Sequence, residues 1–264
     1  MRFATHSTLV VLATFTIFAA QAEGLTLKTR QGFQLGAEVS SYGYEEVVND
    51  APFVNARGNK LGLTSNYTGT FDNDSFVTLD FRYASGLVEY EGSGTASGAD
   101  HVTDLRLMGG IDFARQGYTL SPFAGLGHRS LHNDIAGLTT TGSSGYRRDS
   151  TYVYVPLGVA HRVPAFDGRI VSTLEYDYLL QGTQVSHLGD AGGPGDITNL
   201  QPNGFGLRLG VAYETLHWTT SAFYQQWNIA RSEDATAVGN GWIAVGYEPQ
   251  NTTREFGLAV KYMF

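Results

Sequence analysis

The chain has 264 residues, 33 glycines, 15 tyrosines, 15 phenylalanines, no cysteine and a formal net charge of −8. An acidic balance excludes nucleic acid as a partner, because binding there rests on Lys and Arg neutralising phosphates. The lack of cysteine suits a chain that crosses an oxidising compartment unfolded.

Residues 1–22 read as a secretory signal: a short basic start with Arg2, an apolar run from Leu9 to Ala20, and small residues at Ala20-Gln21-Ala22. The run is shorter than the ~20 residues of a membrane-spanning helix. Beyond it no long stretch keeps a helical period, whereas period-two alternation returns between turn signals. The alternation predicts ten strands, near Gly32–Val48, Lys60–Phe71, Ser75–Tyr90, His101–Arg115, Tyr118–His132, Tyr146–Val163, Arg169–Thr183, Gly204–Tyr213, Leu216–Ala230 and Thr253–Phe264. Their connections alternate in length. Asp72-Asn73-Asp74, Gln116-Gly117, Pro164 to Gly168 and Glu214-Thr215 are short. Asn49–Asn59, Glu91–Asp100, Asn133–Gly145, Gln184–Asn203 and Arg231–Thr252 are long and polar.

In the last stretch Phe256, Leu258, Val260, Tyr262 and Phe264 point one way, and Glu255, Gly257, Ala259 and Lys261 the other. An amphipathic strand closing on Phe resembles the final strand of Gram-negative outer-membrane β-barrels. The resemblance implies an all-β fold over residues 23–264, a transmembrane up-and-down antiparallel barrel of about ten strands. It places both termini in the periplasm, short turns on that side and long loops outside. It also implies that Tyr262 and Phe264 form the signal read by the barrel-assembly machinery, and that outer-membrane lipid and lipopolysaccharide surround the wall.

Two-residue turns fix register. Gln116-Gly117 pairs Arg115 with Tyr118, Ile111 with Pro122, Leu107 with Leu126, Gly110 with Phe123 and Asp104 with Arg129. Glu214-Thr215 in the same way sets Val211 opposite Trp218, Phe205 opposite Tyr224 and Gly206 opposite Phe223. The positions facing inward then carry a nearly balanced charge network: Glu38, Asp80, Asp104, Asp112, Glu175, Asp177 and Glu255 against Lys60, Arg82, Arg106, Arg129, Arg148, Arg208 and Lys261. A ten-stranded barrel has a backbone radius of roughly 10 Å, so long opposed side chains largely fill it. A charge-paired plug is the preferred reading of this set, and an ion path the competing one.

No catalytic residue, cofactor site or metal site stands out. Omptin proteases place paired acids at the outer rim, but the one Asp-x-Asp, Asp72-Asn73-Asp74, falls in a periplasmic turn, and His132-Asn133-Asp134 lacks an acidic pair. His128-Arg129-Ser130 resembles the His-x-Ser of outer-membrane lipid A deacylases over three residues only. The Gly-rich loop from Gly189 to Asp196, taken with His187 and Asp190, lacks calcium-loop spacing. Trp227 and Trp242 are candidates for carbohydrate contact near the outer loops. The sequence predicts a structural or surface-interaction barrel, with a small pore and a rim enzyme as the competing classes, and names no external ligand.

Overall fold

The computed structural model describes residues 25–264, so the secretory reading of residues 1–22 lies outside the described residues. The strands run β1 (Gly32–Val48), β2 (Ala51–Thr70), β3 (Ser75–Glu91), β4 (Thr95–Ile111), β5 (Phe113–Arg115), β6 (Tyr118–Leu138), β7 (Ser144–Ala165), β8 (Gly168–His187), β9 (Asp196–Leu200), β10 (Gly204–Glu214), β11 (Trp218–Ile229), β12 (Ala235–Gly239), β13 (Trp242–Gly246) and β14 (Gln250–Met263). Ten staves close the barrel, β4 and β5 acting as one stave broken at Asp112. Consecutive staves pair antiparallel, β8 with β10, β11 with β14, and β14 with β1. At the seam Phe264 N donates to Phe33 O at 3.0 Å and the two rings stack at 5.8 Å. Closure removes the unpaired edges that an open sheet exposes.

The wall alternates faces, but the meaning of each face inverts along the barrel axis. In the half nearer the termini the outward positions are apolar: Leu61 is 70% exposed, Leu107 54%, Leu126 53% and Leu258 52%. Inward from this belt lie Thr64, Asp80, Arg82, Asp104, Arg106 and Glu175. In the far half polar residues enter the outward positions, as with Arg57 on β2, Glu89 on β3 and Ser130 on β6, although Phe53 and Leu87 stay exposed, and apolar residues enter the inward ones. Tyr42, Ala56 and Val88 pack together, as do Val54, Tyr90 and Ile135. A third cluster joins Tyr152, Tyr154, Leu179, Trp227 and Ile229. The half nearer the termini has an apolar exterior around a polar interior, the pattern that transmembrane barrels present to hydrocarbon. The other encloses apolar clusters among which Glu46, Lys60, Asp100, Gln184 and Gln201 are also buried.

Three sequence expectations are corrected. The segments Asn49–Asn59, Glu91–Asp100 and Asn133–Gly145 are mostly strand rather than loop. β1 passes to β2 through Asn49 and Asp50 alone, whose φ values of 52° and 60° suit a two-residue hairpin turn. Both faces change character there, so hydropathy no longer reports a ladder that continues. The predicted loops Gln184–Asn203 and Arg231–Thr252 likewise hold β9, paired to β8, and the β12–β13 hairpin.

The register around Glu214-Thr215 is also corrected. Thr215 N donates to Trp218 O at 2.8 Å, so the turn takes Thr215 to Trp218 and Glu214 faces Thr219. Val211 therefore meets Ala222, Leu209 meets Tyr224, and Gly206 meets Trp227 rather than Phe223. The slip is an even number of residues, so no side chain changes face. At Gln116-Gly117 the register is as the turn predicts, with Arg115 opposite Tyr118, Gly110 opposite Phe123 and Asp104 opposite Arg129. Finally, Trp227 is 1% exposed and packed in the lumen, which removes it as a surface carbohydrate contact.

Candidate functional site

Ionisable side chains converge in the lumen, and its staves hold them in layers. At the mouth nearer the termini, Asp112 accepts from Thr29 N at 2.6 Å, Thr29 Oγ1 at 2.9 Å and Ser121 Oγ at 2.5 Å. Arg162 donates to the same Ser121 and stands 3.6 Å from Asp112. Arg169 grips Glu214 Oε2 at 2.8 and 2.6 Å, and also donates to the carbonyls of Thr26 and Lys28. The segment preceding β1 is thereby tied across this mouth.

Above it, Arg106 donates to both oxygens of Glu175 at 2.7 and 2.9 Å and lies 3.1 Å from Asp80. Arg208 bridges Asp177 and Asp104, each at 2.7 Å. Asp104 also accepts from Tyr154 OH at 2.6 Å. Arg82 joins Glu38, at 2.7 Å, to Glu255. Among the described residues the guanidinium of Arg129 has no hydrogen-bond partner: it lies 3.6 Å from Asp104 and 5.7 Å from the Trp227 ring.

Past this level the charged groups are isolated pairs within the apolar core. Lys60 pairs with Asp100 over the face of Tyr42, and Arg148 pairs with Glu46. Every member of the predicted network thus points inward. Glu46, Asp100 and Glu248 also belong to it, beyond the residues that the sequence pattern indicates. Glu46 and Asp100 have the inward parity of Glu38 and Asp104 on their strands, which was the available signal. Glu248 lies outside any strand, where parity says nothing.

The network crosses the lumen completely. Arg129, Tyr154, Asp177, Val88 and Val102 are 0% exposed, and Trp227 and Glu255 1%. Cavities of about 220 and 230 Å³ lie on the side of the termini, both bordered by Asp80, Arg106, Glu175 and Lys261. On the far side a lumenal space among Tyr42, Tyr90, Arg148 and Tyr152 measures only about 40 Å³.

A second polar cluster sits on the outer wall, beyond the apolar belt. His132 Nδ1 lies 2.5 Å from Asp149, and His187 bridges Asp149 at 2.8 Å and Asp196 at 2.9 Å. His101 stacks on His132 at 4.7 Å. The Asp149 hydrogen bond and then that of Asp196 push the His187 imidazole above its ordinary value near 6.5. Nearby, Arg147 clasps Asp190 at 2.8 and 3.0 Å and lowers its carboxyl to about 2. No group of side chains with metal-site geometry occurs among the described residues.

No family model matches the sequence, and no curated protein sequence matches it. Solved structures do. The outer membrane protease OmpT of Escherichia coli superposes with a TM-score of 0.57 at 10% identity, over 92% of this chain and 100% of that one. The transport unit of the autotransporter AIDA-I of Escherichia coli gives 0.48 at 10% identity, over 89% and 91%. The translocator domain of the autotransporter NalP of Neisseria meningitidis gives 0.42 at 13% identity, over 89% and 90%. At such identities the likeness is one of architecture: the chain has the fold of the outer-membrane β-barrels.

Proposed function

We propose that this protein is an integral outer-membrane barrel with both termini in the periplasm and a closed lumen, whose role is structural or one of surface interaction. The carrying observation is the unbroken layer of buried side chains from Asp104 and Arg129 to Trp227, continued outward by an apolar core. A solute path through it would require several buried ion pairs to part at once, each leaving uncompensated charge. The far half is then a rigid stalk that carries the outer loops clear of the membrane. Outer-membrane lipid and lipopolysaccharide surround the belt, and the barrel-assembly machinery inserts the chain through the strand bearing Tyr262 and Phe264. Purified, refolded protein in a planar bilayer tests the reading. No discrete conductance is the expected result, and steps of uniform size would establish the small pore instead.

An enzyme on the outer rim is the second reading, because the His132–Asp149 bond orients an imidazole beside Ser130 on the same outward face of β6. A base so oriented is what a serine nucleophile needs. Release of fatty acid from lipid A, lost in Ser130→Ala and His132→Ala, would favour it.

A further inference from the structure

The cavity of about 230 Å³ at the mouth nearer the termini is lined by five cationic side chains and three carboxylates. The carboxylates are already engaged: Glu214 by Arg169, and Asp80 and Glu175 by Arg106. Among the described residues the other three cations pair with no carboxylate of the lining, and Arg162 has only a long contact, 3.6 Å, with Asp112 outside it. Arg30 donates only through Nη1, to the carbonyls of Thr215 and Leu216, and its Nε and Nη2 are buried without a partner. Arg162, itself 8% exposed, spends Nη1 on Ser121 and has its Nε buried without a partner. Its nearest acid, Asp112, already accepts three hydrogen bonds. Lys261 reaches only the amide oxygen of Asn66, at 3.2 Å.

Buried donors left unmade are costly, and guanidinium groups carry their strongest hydrogen bonds to oxyanions. We propose that this chamber is a binding site for a small oxyanion, a phosphate or a carboxylate, held by Arg30 and Arg162 with Lys261 as the third charge. The ligand enters from the side of the termini, because the layer of buried side chains closes the other route. With both termini in the periplasm, as proposed above, it is a periplasmic solute rather than an external one. The site stands whatever the outer surface binds. Arg30 belongs to the segment that precedes β1, so an anion there also fastens that segment across the mouth.

Calorimetry on the refolded full barrel, at fixed ionic strength with chloride as the background anion, tests the proposal with inorganic phosphate and with succinate as probes. Saturable binding of at least one probe at one site per barrel is expected. Arg30→Gln and Arg162→Gln should each weaken it about tenfold or more, the loss of one charge-assisted hydrogen bond. Lys28→Gln, which removes an exposed cation paired to Asp74, should leave it within about twofold. If Arg162→Gln does not refold, Arg30→Gln and the rise of the wild-type urea midpoint with phosphate carry the test. Absence of saturable binding by either probe overturns the site, as does a Lys28→Gln loss equal to that of the arginine variants, which would mark binding to surface charge.

Discussion

Phe223 lies flat over Gly257 on the neighbouring stave, where an added Cβ would fall well inside the 3.0 Å that real Cβ atoms keep from the ring. Tyr154 covers Gly127 in the same way. A ring laid across a bare backbone fills the lumen without widening it, which is how a ten-stranded barrel packs aromatics inside. Gly257→Val should force Phe223 out of its place and lower stability by about 1–3 kcal/mol. Urea unfolding in detergent, with heat-modifiable mobility as the check on folding, measures it; an unchanged midpoint would show that the ring can move freely. Asp104 offers the sharper residue-scale test. Turn geometry sets it opposite Arg129, yet its oxygens are taken by Arg208 and Tyr154, while Arg129 stays at 3.6 Å. Double-mutant cycles should therefore give a larger coupling for Asp104 with Arg208, about 1.5–3 kcal/mol, than for Asp104 with Arg129. The reverse order would mean that strand register, rather than hydrogen-bond geometry, apportions the energy.

Among the elements, β8 and β9 show how a connection outside the belt is held. His187 at the end of β8 faces Asp196 of β9 and Asp149 of β7, with His132 of β6 on the other oxygen of Asp149. Because these carboxylates raise the His187 value above 6.5, the imidazolium is favoured in the folded loop. Its contribution is fully present below pH 6.5 and is lost as pH rises through the raised value. Protection factors in residues 188–195, which discount the intrinsic rise of exchange with pH, should accordingly fall above that pH, and Asp196→Asn should flatten their profile. A profile that is flat in the unsubstituted protein would remove the imidazolium from the account. None of this was legible in the sequence, where His187 and Asp196 sit nine residues apart in a Gly-rich stretch and Asp149 lies on another stave. The staves themselves were legible, since alternation needs only one face in hydrocarbon. Register was legible at Gln116-Gly117, where the turn is two residues. It was misjudged at Glu214, because the hydrogen bond from Thr215 N to Trp218 O enlarges the turn without leaving a mark in composition.

At the scale of the whole molecule, one wall serves two solvents. Apart from Lys60 and Arg148, the inward charges legible as a network lie below the level of Arg129, where polar-in and apolar-out gives each strand a strong period. Above it the inward residues become Leu131 and Ile135 on β6, Val88 on β3 and Leu179 on β8, and polar residues enter the outward positions. A reader of hydropathy sees the two patterns cancel around the crossover and assigns loop. The inversion makes a prediction that a single strand can test. On β6, Leu126 and Ser130 both point outward, four residues apart, on either side of the crossover. Leu126→Arg places a charge in hydrocarbon and should cost about 2–4 kcal/mol, whereas Ser130→Arg, near or beyond the interface, should cost about 0–1. The inward side should answer in the opposite sense: an arginine replacing Ile135 enters a packed apolar cluster, so it should destabilise strongly, whereas one replacing Thr64 lines a polar cavity and should be tolerated. Unfolding of the four variants in lipid vesicles, rather than in detergent, decides the matter, because only a bilayer has a defined boundary. Equal costs for Leu126→Arg and Ser130→Arg would place the boundary elsewhere on the wall, and tolerance of arginine at Ile135 would show that the far half is wet inside.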